Sequence, residues 1–562
     1  MASLNPLQGA LGQRRAAHLL RRTSFRYTKA KVDEMADQTA AKALESLLKL
    51  YPLQSDQPIY KINDNNPGIT WLLPLPGSPP AGVQDFVLLR YVLTWWTNEA
   101  LYDPGIGHKM SLFFHQYMTI TANSFGSAHF FDYLSLMRWG ALGNFKKLAL
   151  KIVTDNCMLR YLNNQQNRKG SPNENFAREF FELFTILKGP QAGPGDYTNY
   201  TEDDIVQAAK VFTGFRAWGN RDNVDPETGI PRGDIGNPPT ANNPVPNNGI
   251  ANLHETGPKT FSNRFGGKTI QGGNNVATIR QELANFVDMI FEQPETARNL
   301  CRRLYRYFVG NNITAEIEAD IIQPLATLLI ASNFEVRPVL QKLLQSEHFF
   351  DADDAVSKDE TVGGMIKSPI ELTYQTLTFF NMTAPDIKTK PYENFQFHNR
   401  QTLQRMFGQA NFPLFYPSDV AGYPAYHQEP DYSHQWFNSS TIITRYKLGD
   451  TLLNGLVVGG LNNVNINIRL RVEEWLKTSG FVQDPSDAYV LVKELLAYLL
   501  PEEVDVERFD YFYREVFLDN LPAADWTYEW QNYIATGNAT EVRIPLGRLI
   551  RAILYSPEFQ TL

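Results

Sequence analysis

Helical periodicity, with recognisable helix starts and stops, is the feature that most constrains how this 562-residue chain can fold. Apolar residues recur every three or four positions over long stretches, whereas the strict apolar and polar alternation of β-strands is sparse. The pattern predicts helices over residues 85–102, 141–162, 171–189, 201–214, 277–308, 315–344 and 439–453. We therefore expect a mainly α fold, built as a large globular array of many helices.

Residues 220–275 interrupt the helical pattern. This stretch is crowded with Gly, Pro, Asn and Asp, as in NPPTANNPVPNNG, and has no sustained period. It predicts a long irregular or β-hairpin excursion. Since single cores rarely grow beyond about 250–300 residues, we expect an N-terminal helical lobe at residues 1–219 that carries the NENFAREFFELFT helix, then the excursion. A C-terminal helical lobe at residues 276–562 would pack on the first lobe as one unit.

Composition and charge exclude several classes of protein. Hydrophobic residues make up 43% of the chain and the net charge is -8, which indicates a globular protein without the clustered basic face that nucleic acid binding needs. The two cysteines match no zinc or redox spacing. The N-terminus lacks the apolar stretch of a signal peptide, and no apolar run reaches the roughly 20 residues that span a bilayer. We expect no membrane span and a cytoplasmic location; export together with a signal-bearing partner, to the envelope or beyond, is the alternative.

The segment SPNENFAREFFELFTILKG, residues 171–189, is the strongest local constellation. Ser171, Pro172 and Glu174 have the spacing of a capping box with proline in the first turn, and Gly189 has the position of a C-terminal stop. The segment predicts one helix that begins at Ser171 and closes at Gly189.

A charged stripe of Glu174, Arg178 and Glu182, spaced four residues apart, lies opposite the apolar face of this predicted helix. Such spacing is typical of a solvated row of ion pairs. Apolar residues also flank the stripe, which indicates an enclosed helix, and enclosed charges need partners, a metal ion or a wet cleft. A structural ion-pair network and a functional cleft both remain open, and Glu179, just off the stripe, could join either.

The irregular segment contains HETGPKT, in which a turn presents His254 and Lys259. Histidine can act as acid or base, and lysine can hold an anion. If these two side chains met Glu174, Arg178 and Glu182, the result would be the cleft of an acid/base or metal-assisted enzyme. An ordinary polar hairpin fits the same residues.

The segment YHQEPDYSHQW places His427, Glu429, Asp431 and His434 within eight residues. These side chains are ligands that could hold zinc or another divalent ion if the loop curled. A divalent metal is the one cofactor that the residues suggest. A solvent-facing loop is the alternative.

Several motifs occur in an order that resembles a known family. They are RRAAHLLRRTSF, DNCMLRYLNNQQNRKGSPNENFAREFFELFTIL, YTEDDIVQAAKVFTGF, HETGPKTF and LFYPSDVAGYP. Together they resemble the bacterial family catalogued as domain of unknown function 1800, over roughly residues 10–450. The chain departs from that family at Phe184 and Tyr117, where many relatives have histidine, and at Glu255, which replaces an aspartate.

The resemblance implies a mainly helical protein whose activity is not established. It also implies a protein partner from a second uncharacterised family, domain of unknown function 1501, whose members look exported. The chain has no Gly-x-Ser-x-Gly, HExxH or Rossmann glycine pattern. A binding or scaffold component that acts with an envelope-associated partner is therefore the first hypothesis, the acid/base or metal-assisted enzyme is the second, and a carbohydrate binder with an exposed aromatic platform is the third.

Overall fold

The computed structural model describes residues 2–62, 68–353, 361–461 and 464–562. Helices dominate this part of the chain, and its strands form only two-stranded antiparallel pairs. The expected mainly α fold is confirmed.

The first half of the chain forms helices α1 to α11. They are α1 (Gly12–Thr23), α2 (Lys29–Ala36), α3 (Ala40–Leu47), α4 (Asp85–Tyr102), α5 (Gly107–Tyr117), α6 (Ser127–Gly140), α7 (Phe145–Ile152), α8 (Asn156–Tyr161), α9 (Glu174–Glu179), α10 (Glu202–Val211) and α11 (Ile250–Leu253).

The second half forms helices α12 to α24. They are α12 (Val276–Phe291), α13 (Pro294–Phe308), α14 (Ala315–Ile317), α15 (Gln323–Ala331), α16 (Val336–Leu344), α17 (Pro369–Phe379), α18 (Pro391–Gln396), α19 (Ile442–Asn454), α20 (Val472–Ser479), α21 (Ala488–Leu499), α22 (Val506–Asp510), α23 (Ala523–Thr536) and α24 (Thr540–Leu554). Wider π-helical turns extend α9, α14, α18 and α22, over Phe180–Phe184, Glu318–Ile322, Phe397–Phe407 and Tyr511–Phe517.

The strands form four hairpin-like pairs. They are β1 (Gln191–Gly193) with β2 (Asp196–Tyr197), β3 (Phe215–Arg216) with β4 (Asp234–Ile235), β5 (Lys259–Thr260) with β6 (Thr269–Ile270), and β7 (Leu456–Gly459) with β8 (Asn465–Ile468). Most of residues 220–275 has no helix or strand, and the β5–β6 hairpin and the one-turn α11 lie within it. The expected irregular excursion is confirmed.

Single helices were predicted best where the sequence has one start and one stop. Helix α4 has the bounds that the periodicity predicts, and its buried positions run from Leu88 to Leu101. The longer predicted helices are divided in the structure. Residues 141–162 form α7 and α8 because the side chains of Asn144 and Asp155 each cap a new helix. Residues 277–308 form α12 and α13 because Pro294 begins a new first turn.

Buried apolar side chains from both halves of the chain form one continuous cluster, which extends from Ala2 to Phe559. Aromatic rings supply much of it, for example the edge contacts that Phe415 makes with Trp96, His115 and Phe130. The division into lobes at residues 1–219 and 276–562 stays a prediction.

Candidate functional site

The helix of the SPNENFAREFFELFT motif is shorter than predicted. It begins at Glu174, with Asn173 as the N-cap residue, whose side chain accepts a hydrogen bond from the Asn175 N–H. The predicted capping box at Ser171 is therefore wrong: Ser171 pairs with Arg168 in a turn that precedes the helix. Asn173 takes the cap position because its own N–H donates to the Asn167 side chain at 2.9 Å. This hydrogen bond fixes the backbone immediately before the helix.

Helix α9 continues into the π-helical turn Phe180–Phe184, so the helix ends five residues before Gly189. Three contacts satisfy carbonyl groups at this end. The Thr185 hydroxyl donates to the Phe180 carbonyl at 2.6 Å, and the Leu187 N–H donates to the Phe181 carbonyl at 3.0 Å. The Asn299 amide, from α13, donates to the Thr185 carbonyl at 2.6 Å. The tertiary partner closes the helix before the glycine is reached.

The π turn lies beside strained backbone. Leu187 has φ 64°, in the left-handed region that a branched side chain rarely adopts. Single π turns are frequent at functional sites, because the extra residue in the turn shifts the side chains that follow it. Here Glu179 precedes the turn and Glu182 lies within it. The turn therefore changes the angle around the helix axis between these two side chains.

Two members of the charged stripe form a network at the surface. The Arg178 guanidinium pairs with both carboxylate oxygens of Glu202, at 2.8 and 2.7 Å, and reaches Glu174 at 3.3 Å. Glu202, in the acidic first turn of α10, was missed by sequence reasoning. The hydrogen bonds between the two side chains, together with their opposite charges, raise the pKa of Arg178 and lower the pKa of Glu202. Glu174 and Arg178 therefore have structural partners.

Glu182, the third member of the stripe, has a different environment. Its side chain is half-buried, and one carboxylate oxygen accepts a hydrogen bond from the Tyr200 hydroxyl at 3.2 Å. Lys188 lies 3.9 Å from the other oxygen. Burial, followed by the negative charge of Glu182, raises the pKa of the Tyr200 hydroxyl, which keeps that group a hydrogen-bond donor.

Glu179 is the carboxyl group with the most perturbed acidity in this region. Burial, followed by the negative charge of Glu182, raises its pKa to about 7, and Arg178 offsets only part of that effect. Within the described residues its side chain has no hydrogen bond and no ion pair, although it is half-buried and reaches solvent. Its carboxyl group therefore has no structural partner within the described residues.

The groups around Glu179 come from distant parts of the chain. Burial raises the pKa of the Tyr161 hydroxyl, and the negative charges of Asp419 and Glu179 raise it further. Asp419, which is exposed, also contributes to the raised pKa of Glu179. We call Glu179, Glu182, Asp419 and Tyr161 the Glu179 site.

Asp419 of this site also acts on a histidine, His427, which feels the charge of Arg303 as well. Burial, followed by the positive charge of Arg303, lowers the pKa of His427, whereas Asp419 raises it. The Arg303 guanidinium lies over the Tyr117 ring at 4.3 Å, and no carboxylate of the described chain forms an ion pair with it. His427 also has a buried ring nitrogen, Nε2, without a hydrogen-bond partner. His427 and Arg303 are therefore linked to the Glu179 site through the charge of Asp419.

His254 and Lys259 lie in a closed ion cluster in which every member is at most 1% exposed. His254 Nε2 is 3.0 Å from one Glu282 oxygen, and Lys259 Nζ is 2.6 Å from the other. The other ring nitrogen of His254 is 2.8 Å from the Thr213 carbonyl oxygen. None of these partners belongs to the charged stripe. The common catalytic cleft of His254 and Lys259 with Glu174, Arg178 and Glu182 stays a prediction.

The backbone at Gly273 packs closely against this ion cluster. The Gly273 N–H donates to Glu282 at 2.6 Å, and a Cβ atom on Gly273 would lie 2.4 Å from the Ile279 nitrogen. Glycine is needed at this position because only hydrogen fits. Sequence reasoning missed Glu282. Its position was an available signal, because this acidic residue lies on the apolar face of α12, three residues after Ile279 and four before Phe286.

Two of the four residues of the suggested metal site, Glu429 and His434, have other partners. Glu429 accepts from the Tyr432 hydroxyl at 2.6 Å and lies 3.5 Å from Arg306. His434 contacts the backbone of Asp431 at 3.0 Å. No group of three or more His, Cys, Asp and Glu side chains in the described ranges has the arrangement needed to hold a metal ion. The metal hypothesis for His427, Glu429, Asp431 and His434 thus rests on sequence spacing.

A polar cavity of about 770 Å³ opens at the beginning of α9. Its lining is formed by Gln165, Gln166, Arg168, Ser171, Pro172, Asn173, Glu174 and Arg216. Amide and guanidinium groups suit a ligand rich in hydroxyl groups, but this lining includes no aromatic ring. The aromatic platform expected of a carbohydrate binder is therefore not part of this cavity.

No helix of the described chain is long and apolar enough to cross a bilayer. Comparison with curated proteins finds no match, and comparison with solved structures finds none either. The sequence model of one family, described as a protein of unknown function (DUF1800), matches residues 18–561. This match covers nearly the whole chain and confirms the resemblance seen in its motifs. The protein belongs to the DUF1800 family.

Proposed function

We propose that the protein is an acid/base enzyme in which the carboxyl group of Glu179 transfers a proton to or from its substrate. The observation that carries this proposal is a half-buried carboxyl group without a structural partner whose pKa is raised to about 7. A general acid or base works best when its pKa is near the working pH, because both protonation states are then populated. Carboxyl groups with such a shift cluster at functional sites.

The neighbours of Glu179 support distinct roles in such a reaction. Glu182, held by the Tyr200 hydroxyl, is a second carboxyl group whose charge favours the protonated form of Glu179. Two carboxyl groups in unlike environments are a recurring way to separate an acid from a second, ionised group. Arg303 and His427 would orient a polar or anionic part of the substrate, since Arg303 has no carboxylate partner in the described chain.

The pH dependence of stability tests the proposal against a purely structural role for Glu179. A carboxyl group whose pKa is higher in the folded state favours folding at low pH, and this contribution is lost as pH rises from about 4.5 to about 7. Glu179→Gln, which stays neutral, should therefore stabilise the protein above pH 7 by about 1 kcal/mol, after allowance for solvent screening. Below pH 4.5 it should have little effect. Urea denaturation at pH 4.5 and pH 8 measures both values.

Glu174→Gln is the matched control, because Glu174 belongs to the exposed network with Arg178. Its removal should be neutral or mildly destabilising at pH 8, by at most about 0.5 kcal/mol. If Glu179→Gln instead destabilised the protein at pH 8, Glu179 would be a partner in a structural ion-pair network, and the proposed acid/base role would be wrong.

A second candidate function is the docking of a protein partner. Eight of the nineteen exposed large apolar side chains in the described residues lie between Tyr489 and Ile544, including Val506 and Tyr528 at 79% and 68% exposure. Exposed apolar groups that form one patch mark interaction surfaces, and the second proposal is that these side chains form such a patch. The family resemblance suggests a protein of the neighbouring exported family as the partner, which would make this chain a binding component at the envelope.

Co-expression with a protein of that second family tests this candidate. The two chains should co-purify, and Val506→Glu/Tyr528→Glu should abolish co-purification because a charge is costly in an apolar interface. Phe86→Glu, at a similarly exposed residue outside this stretch (60%), is the control and should leave the complex intact. Co-purification that survives the double substitution would show that residues 489–544 are not the docking surface.

A further inference from the structure

A pocket of about 300 Å³ lies between α17, the π-helical segment Phe397–Phe407 and α19. Its lining consists of Pro369, Leu372, Thr373, Arg405, Met406, Gln409, Ala410, Ile443, Thr444, Arg445, Lys447, Leu448 and Thr451. We call it the α17–α19 pocket. Its volume is at the small end of the range for ligand sites.

Apolar side chains form much of the wall. Leu372, Met406 and Leu448 are buried residues of the core that also line the pocket. Their surfaces favour the apolar part of a ligand over water. A purely ionic ligand would leave this surface unused.

The charged lining residues are all cations. Arg405 and Lys447 are exposed, and neither forms an ion pair with a carboxylate of the described chain. The side-chain contact of Arg405 is a long hydrogen bond to Gln401, 3.4 Å. Asp450, the acidic residue nearest to Lys447 on α19, is held by Arg551 at 2.6 Å. No carboxylate lines the pocket to balance these charges.

A third cationic side chain, that of Arg445, belongs to the buried part of the pocket lining. Arg445 is 1% exposed and donates to the Gln560 side chain and to the Lys367 carbonyl, each at 2.9 Å. The Lys367 side chain is buried as well. Glu371, the carboxylate of this region, already pairs with buried Lys109 at 2.7 Å. Neither Arg445 nor Lys367 forms an ion pair with a carboxylate of the described chain.

Burial lowers the pKa of Arg445 to about 9 and that of Lys367 well below the usual lysine range. Both shifts mean that the surroundings supply too little negative charge to offset desolvation. An anion in the adjoining pocket would reduce this imbalance, because charges interact strongly across a medium of low dielectric constant.

We propose that the α17–α19 pocket binds a small organic anion with an apolar portion, in which Arg405 and Lys447 contact the acidic group and Leu372, Met406 and Leu448 contact the apolar portion. The acidic group is a carboxylate or a phosphate monoester, since both present oxygens to cations in the same way. This inference is independent of the proposed chemistry at Glu179.

Calorimetric titration of the full chain tests the proposal with four probes: octanoate, octyl phosphate, octanol and inorganic phosphate. Octanoate or octyl phosphate should bind at least about tenfold more tightly than octanol and inorganic phosphate, because only the first two use both the cations and the apolar wall. Tighter binding of octyl phosphate would assign a phosphate as the natural head group, and tighter binding of octanoate a carboxylate.

Arg405→Gln/Lys447→Gln should weaken binding of the better probe by about tenfold, since each solvated ion pair contributes up to about a factor of five. Arg400→Gln/Lys390→Gln is the matched control, because both side chains are exposed and neither lines the pocket. The proposal is overturned if no probe binds, if octanol or inorganic phosphate binds as tightly as the amphiphilic anions, or if the two double variants bind equally well.

Discussion

Glu282→Ala is expected to lower the free energy of unfolding by about 3–5 kcal/mol, because it leaves the buried Lys259 ammonium without its carboxylate and the buried His254 ring without its hydrogen-bond partner. Glu282 is the common partner of His254 and Lys259, and all three are at most 1% exposed. It also accepts the Gly273 N–H at 2.6 Å, so the loop that precedes α12 loses a contact as well. Urea denaturation followed by circular dichroism at pH 7 measures the loss.

Two further variants make this result specific. Glu292→Ala removes an exposed carboxylate that pairs with Lys268 at 2.9 Å, and it should cost no more than about 1 kcal/mol. Lys259→Met/Glu282→Met replaces the buried ion pair by apolar groups and should recover much of the stability that Glu282→Ala loses. A loss below about 1 kcal/mol for Glu282→Ala would contradict a structural role for this ion cluster.

Glu179→Gln is expected to lower kcat/KM by about 10²–10⁴, because glutamine keeps the shape of the side chain but cannot exchange a proton at neutral pH. The measurement is hydrolysis of a panel of chromogenic glycosides, esters and phosphate esters by the full chain. For a substrate that is turned over, kcat/KM should change around pH 7, where the carboxyl group titrates. This change should be absent from the residual activity of the variant.

Glu292→Gln serves as the control, since its carboxylate contacts Lys268 at the surface. We expect its kcat/KM to stay within about twofold of the wild-type value, given the small energy of an exposed ion pair. Turnover that Glu179→Gln leaves intact would exclude Glu179 as the acid or base. Such a result would favour the partner-docking function.

The sequence predicted helices well wherever their ends are set by neighbouring residues. Helix α4 and the start of α10 after Thr201, whose hydroxyl caps the helix, follow from local patterns. The helix of residues 171–189 was predicted too long, because Thr185 and Asn299 satisfy carbonyl groups at its π-helical end. Asn299 is 114 residues away along the chain, so no local pattern could reveal that stop.

The candidate site was predicted only in part, because some of its contacts also join residues that are distant in the chain. Spacing alone placed Glu174, Arg178 and Glu182 on one stripe. It did not decide whether Glu179 belongs to a structural ion-pair network or to a functional cleft. Spacing could not show that Glu202 would form an ion pair with Arg178, or that Asp419 would lie near Glu179. Nor could it show that His254 and Lys259 would share Glu282.

By itself, the sequence determined the helical class, the irregular excursion and the family, because periodicity and capping act between residues a few positions apart. Only the tertiary structure decided which charges are paired and which carboxyl group is free. Ion pairing and pKa depend on distance through space and on burial, and folding sets both by joining residues that are remote in the chain. Glu179 owes its raised pKa to burial, to the nearby charge of Glu182 and to Asp419 on a distant segment.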